Sequence, residues 1–217
     1  MLIQFNNYLN SQGIVPLQNN CTYSNTNPLR WQNGQYLFIN DLSFVTNRDI
    51  LYSNTCKYME KVTFNTNGNN FAIAIGYNPA SNSNTTIDKS NYLISTYLSN
   101  LGYDGYYLLN MYPDITPIKI RKINSVLGNY IDMVLSFLNA YAHINSHDIF
   151  IFWGSSVYLS NNVINGIRSL QNRCRSLYTF GVGRIHHQHP GRGVSANTIR
   201  HYNANTTPLF NGMHYLR

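Results

Sequence analysis

Three short segments carry residues able to hold and polarise a flat, hydrogen-bonding ligand. They are Gly76-Tyr77-Asn78-Pro79-Ala80, Leu108-Leu109-Asn110 and His186-His187-Gln188-His189-Pro190-Gly191-Arg192-Gly193. In the first, glycine permits a sharp turn and proline stiffens the loop, which sets the Asn78 amide against a ligand. An ordinary strand–turn–helix connection uses the same residues, because Asn-Pro favours turns. In the second, Asn110 at a strand end offers a donor beside an acceptor, the pattern of one pyrimidine edge. A buried amide that serves only local backbone groups has the same sequence. In the third, the imidazole of His189 suits donation to a developing oxyanion. Arg184, Arg192 and Arg200 flank it and suit phosphate contacts or a solvated basic face. No metal is expected there. Successive histidines on a strand face opposite sides, and no Cys or acid completes a ligand set.

The elements that must position these residues are legible as apolar runs. Phe71–Ile75, Tyr106–Leu109, Ile149–Trp153 and Leu177–Val182 are nearly unbroken, as in strands covered on both faces. Helical periodicity is expected over Ile87–Leu101, Ile120–Ala142 and Val157–Leu170. Strands alternating with helices predict an α/β fold: three layers, α/β/α, around a central, mostly parallel four-stranded sheet. Ligands of such folds lie beyond the carboxyl ends of the strands. Asn78, Asn110 and His189 follow three of those ends and are expected to converge. Residues 1 to about 35, rich in Asn, Gly and Pro, read as an irregular arm, and Tyr36–Phe44 and Lys61–Phe64 as strands. The division is therefore a β-containing N-terminal extension over 1–66 and an α/β domain over 67–217.

The 217 residues carry 15 Lys plus Arg against 8 Asp plus Glu, a net charge of +7 that favours polyanionic partners. Three scattered cysteines and no CxxC pair argue against a zinc ribbon or an iron–sulfur cluster. They suit reduced thiols in a cytoplasm, and no signal peptide or membrane-spanning run is seen at the N-terminus or beyond it. No cofactor and no membrane contact is expected, and a monomer is the expectation for the assembly.

Taken in order, the three segments resemble motifs of the uracil-DNA glycosylase superfamily. Gly76-Tyr77-Asn78-Pro79 looks like its Gly-x-(Asp/Asn/Glu/Ala)-Pro motif, Leu108-Leu109-Asn110 like its central strand ending in Asn, and His189-Pro190-Gly191 like its late loop. Phe152-Trp153-Gly154-Ser155 is similar to the strand and glycine before a core helix of that fold. The chain also resembles a bacterial family of unknown function found in chromosomes, phages and mobile elements. The matching pieces are Asn78-Pro79-Ala80-Ser81, Thr86-Ile87, Gly102-Tyr103-Asp104-Gly105, Asn110, Trp153-Gly154 and His189-Pro190, within residues 70 to 192.

The resemblance implies a uracil-DNA glycosylase-like fold and a bacterial, nucleoid-associated enzyme of DNA repair. It would hydrolyse the bond between uracil and deoxyribose in a nucleotide flipped out of DNA. Asn78 would hold the attacking water and His189 would stabilise the departing base. Gly76, Tyr77, Pro79 and Ala80 would line the base site, and Asn110 would read the uracil edge. Tyr92, or else Tyr77, would stack on the base. Arg184, Pro190, Gly191, Arg192 and Arg200 would meet DNA. No Lys stands in the three motifs, so an abasic site without strand cutting is the expected product. Asn78 stands where some relatives carry Asp, and Ala80 where some carry a Tyr that excludes thymine. An acidic DNA-mimicking inhibitor protein is a partner implied by the same resemblance. The alternatives are a non-catalytic DNA-binding module on the same fold and a glycosylase for another modified base.

Overall fold

The computed structural model describes residues 1–21, 28–32, 35–38, 45–79, 89–116, 126–153, 160–182, 185–186 and 199–201. The chain starts with helix α1 (Leu2–Ser11), followed by β1 (Leu17–Cys21), β2 (Pro28–Gln32), β3 (Gln35–Phe38), β4 (Asn47–Tyr52), β5 (Lys57–Thr63) and β6 (Phe71–Gly76). Then come α2 (Lys89–Asn100), β7 (Gly105–Asn110), α3 (Tyr130–Ala140), β8 (Asp148–Ile151), α4 (Asn161–Gln171), β9 (Ser176–Val182), β10 (Ile185–His186) and β11 (Ile199–His201).

Nine of these strands form one sheet in the order β1-β4-β5-β7-β6-β8-β9-β10, with β11 also paired to β9. Its centre is the four-stranded parallel unit expected from the apolar runs: β6 is parallel to β7 and to β8, and β8 to β9. The outer pairings, β1 with β4, β4 with β5, β5 with β7 and β9 with β10 and β11, are antiparallel. β2 and β3 form a separate hairpin.

Alternation along each strand divides the core in two. Ile73 and Ile75 of β6 join Leu109, Ile149 and Ile151 in a cluster with Phe5 and Leu9 of α1, Val134 and Leu138 of α3, and Ile167 of α4. Ala72 and Ala74 face the other way, with Leu108, Phe150, and Ile94 and Leu98 of α2. Helices thus cover both faces, and the chain leaves β6 over one face and β7 over the other. The small alanines on the α2 face of β6 let that helix lie close to the sheet.

The N-terminal expectation is corrected over two stretches. Residues 2–11 are helical, and Leu2, Phe5 and Leu9 are buried in the larger cluster. Leu2, Phe5 and Leu9 recur at the spacing of one helix face, and burial on the sheet supplies what the polar Asn-rich remainder cannot. Further on, β4 and β5 continue the main sheet across the expected boundary at 66, through the β5–β7 ladder Glu60↔Leu108 to Thr63↔Gly105. The long helix expected from Ile120 is α3, which starts at Tyr130 after a turn over 126–129.

The amino end of the parallel unit is closed by polar side chains that satisfy one another. Asp148, 5% exposed, accepts from Arg175 Nε (2.9 Å) and Nη2 (2.5 Å) and from the Tyr103 hydroxyl. Asp104 Oδ2 accepts from the Asn70 backbone N–H at 2.8 Å. The carboxyl end is built differently.

Candidate functional site

At the carboxyl end, β6 and β7 finish side by side, Gly76 opposite Asn110. The loops beyond them run on together. Met111 N–H donates to Gly76 O at 3.0 Å, Tyr112 N–H to Tyr77 O at 3.0 Å, and Thr116 N–H to Pro79 O at 2.9 Å. The second loop is tied on its other side as well, since Ile115 N–H donates to Thr55 O at 2.9 Å and Lys57 N–H to Pro113 O at 2.8 Å.

Gly76 shares the α2 face of the sheet with Asn110 and Phe152. A Cβ at Gly76 would lie 2.6 Å from Asn110 Oδ1 and 3.0 Å from the Phe152 ring. Here glycine serves close approach. It leaves the Asn110 amide and the Phe152 ring flanking a strand end that has no side chain of its own. This is also the crevice where the chain's path switches, β7 lying on one side of β6 and β8 on the other, the usual ligand position in doubly wound sheets.

Asn110 is 5% exposed. Its side-chain amide makes no hydrogen bond to any described residue. Buried side-chain amides are nearly always bonded, because an unmade bond costs about 1–3 kcal/mol. Its donor and its acceptor thus remain available to a ligand.

Asn78 is half-buried and differently employed. Its Nδ2 donates to Thr116 O at 2.6 Å and to Pro79 O at 3.3 Å. Both partners are carbonyls, which fixes the amide's orientation and leaves Oδ1 as the acceptor on offer. Asn78 is therefore a brace between the two loops and, through Oδ1, a group able to accept a hydrogen bond from water. Pro79 is buried between them.

Tyr77 points to the other face. Its ring packs edge-on against Tyr112, 5.2 Å between centroids, within the cluster that includes α3. It lies across the sheet from Asn110, and among the described residues the ring set against Gly76 is Phe152, read from the sequence only as part of a strand. Tyr92 belongs to α2, on the crevice face of the sheet, and Arg200 to β11, but their side chains lie outside the described residues. Ala80, Arg184, His189, Pro190, Gly191 and Arg192 also lie outside the described residues. Of the expected convergence, the structure therefore brings Gly76, Asn78 and Asn110 to one end of the sheet.

Beside the crevice lies a buried ionic group that no motif signalled. Glu60 is 0% exposed, Arg48 1% and Lys57 5%. Arg48 Nε donates to Glu60 Oε1 at 2.6 Å, its Nη2 pairs with the same oxygen, and Lys57 Nζ donates to Glu60 Oε2 at 3.1 Å. Burial works against a charged Glu60, but the Lys57 and Arg48 charges and their hydrogen bonds prevail, bringing its pKa down to about 2. Among the described residues no group of three His, Cys, Asp or Glu is placed to hold a metal ion.

The fold is α/β, with a central parallel unit covered by helices on both faces. A family model described as "Protein of unknown function (DUF1643)" matches residues 58–191. That is more than half of the chain, and the chain belongs to this family. The matched region contains Gly76, Asn78, Asn110 and His189, and it begins one residue after Lys57. No curated protein and no solved structure matched the chain.

Proposed function

We propose that the protein is a monofunctional uracil-DNA glycosylase that accepts a flipped uracil at the crevice between Asn110, Gly76 and Phe152. The observation carrying this reading is the Asn110 amide: nearly enclosed, without a described partner, and set against a glycine whose missing side chain leaves room for the amide at the strand end. Its donor suits uracil O4 and its acceptor suits N3–H. Cytosine presents the reverse pattern and would leave both groups mismatched, the strongest form of rejection open to a buried site.

In the reaction the C1′–N1 bond breaks and its electron pair goes to the base. A water oxygen bonds to C1′, and the water's proton passes to solvent or to the departing base. Asn78 Oδ1 accepts from that water and orients it. His189, which lies outside the described residues, donates to the charged base, and Arg184, Arg192 and Arg200 meet the DNA backbone. The excess of basic residues supports a polyanionic partner. No helix among the described residues is long and apolar enough to cross a membrane.

The test is incubation with a uracil-containing oligonucleotide followed by alkali, beside thymine, cytosine and mismatch controls. Strand breakage at uracil alone is expected. His189→Ala should slow breakage at saturating DNA far more than it weakens binding; equal rates would remove the role given to that imidazole.

One observation favours a second reading, a module that binds an extruded base without cutting. Asn78 cannot take a proton as a carboxylate does, and the nearby carboxylate, Glu60, is locked between two cations. Binding without breakage at large protein excess would select this reading. Release of another modified base while uracil DNA stays intact would redirect the substrate.

A further inference from the structure

Lys57 lies at the first residue of β5, and Asn110 at the last residue of the neighbouring antiparallel strand β7. The ladder sets Glu60 opposite Leu108. Continued two residues past Glu60↔Leu108, that register would bring Tyr58 opposite Asn110, with Lys57, at the start of β5, the next residue. A register shift in the β4–β5 pairing falls at this start, between Leu51↔Met59 and Tyr52↔Lys57. It turns the Lys57 side chain to the face of Glu60, which its ammonium reaches at 3.1 Å. The Lys57 backbone is bonded to Pro113, three residues beyond Asn110. Glu60 is the only described partner of the ammonium, so two of its three N–H groups are uncommitted. A buried Lys57 with spare donors, on the same face of the sheet as a nearly enclosed amide with spare donor and acceptor, makes a composite recognition surface.

We propose that Lys57 is a further site residue. Its ammonium, aimed by Glu60, donates to a carbonyl oxygen of the base that Asn110 reads, and it holds the charge that grows on that oxygen as the base departs. This inference rests on the glycosylase reading. A base oxygen suits the position better than a phosphate, because Lys57 is buried on the face that carries the reading amide and not at a rim. Arg48, equally buried on the far side of Glu60, keeps the carboxylate ionised and so keeps it aiming Lys57.

The test compares wild type with Lys57→Met and Lys57→Leu, each of which leaves the Arg48–Glu60 pair intact. Three quantities are read: uracil excision at saturating DNA, DNA affinity, and binding of free uracil followed by NMR titration. Excision should fall about 10²–10³-fold, the usual loss for one such donor. DNA affinity should change less than about threefold, and free-uracil binding should weaken in parallel with its loss in Asn110→Ala. Unchanged excision in either variant that folds overturns the inference and leaves the glycosylase reading standing. Reduced DNA affinity with normal excision at saturation assigns Lys57 to a phosphate and also overturns it. If the wild type binds uracil through Lys57 and Asn110 yet never excises it, catalysis fails and the recognition role holds. A wild type that does not bind uracil ends both.

Discussion

Replacing Asn110 by Asp keeps the size of the side chain and removes its NH2 donor group. The carboxylate would face uracil O4 with like polarity, so excision should drop at least about 100-fold, the scale of one lost transition-state donor. A single-turnover assay checks this. Gly76→Ala tests the same crevice from the opposite side. The added methyl would meet Asn110 Oδ1 and the Phe152 ring, and both must shift. Overpacking of this kind costs about 1–3 kcal/mol. The expected outcome is a folded protein with a lower urea midpoint and lost excision; retained excision would mean that the space in front of Asn110 is not where the base sits.

Two buried groups make stability depend on pH in separate windows. His147 is buried, and its Nδ1 donates to Phe71 O at 2.6 Å. Burial lowers its pKa below the ordinary 6.5, against the smaller opposing effect of that hydrogen bond. The unfolded chain therefore takes up a proton first as the pH falls, and stability present above 6.5 declines below it. Glu60 acts lower down. Its contribution is complete above the ordinary carboxylate value of 4.5 and is lost as the pH drops towards about 2. Urea midpoints between about pH 8 and pH 2 should show two successive declines. His147→Gln should flatten the upper one only, and a wild-type midpoint constant from about pH 7 to 5 would contradict the first assignment.

At the scale of elements, α1 is an integral part of the core. Phe5 sits 4.8 Å from the ring of Phe137 on α3, centroid to centroid, and is fully buried. Phe5→Ala should cost about 3–5 kcal/mol, measured by urea unfolding, whereas an exposed arm would tolerate it with no change. Chain pattern alone recovered the elements whose burial is local in origin. The four parallel strands, α2 and α4 show as apolar runs or periodic faces, and two of the three expected site segments reach the same end of the sheet because strand ends do so in this topology. β4 escaped because Asn47-Arg48-Asp49 reads as a polar loop; Arg48 is buried against Glu60 of the neighbouring strand, which neutralises it. α1 escaped because its apolar spacing is diluted by Asn and Gln and has no capping side chain. Lys57 and Phe152 joined the site through the register of strands distant in the chain. No local pattern encodes that pairing.

For the whole molecule, the net charge of +7 makes a general claim testable without knowing the substrate. DNA affinity should fall linearly on a logarithmic salt scale, and Arg192→Ala should lower that slope by about one while weakening all sequences alike. A loss confined to one sequence would place Arg192 on a base. Because the sheet joins the N-terminal strands to the parallel unit through β5 and β7, unfolding should be a single transition with no separately melting N-terminal part. Circular dichroism and tryptophan fluorescence followed together would reveal any second transition.

The stitching of the loops after β6 and β7 bears on motion. The amides of Met111, Tyr112, Ile115 and Thr116 belong to no strand, yet each donates to a carbonyl of another segment. In deuterated water they should exchange on the timescale of the sheet, not of a turn. The crevice would then meet its ligand already shaped, and little ordering entropy would be left for the binding step to overcome.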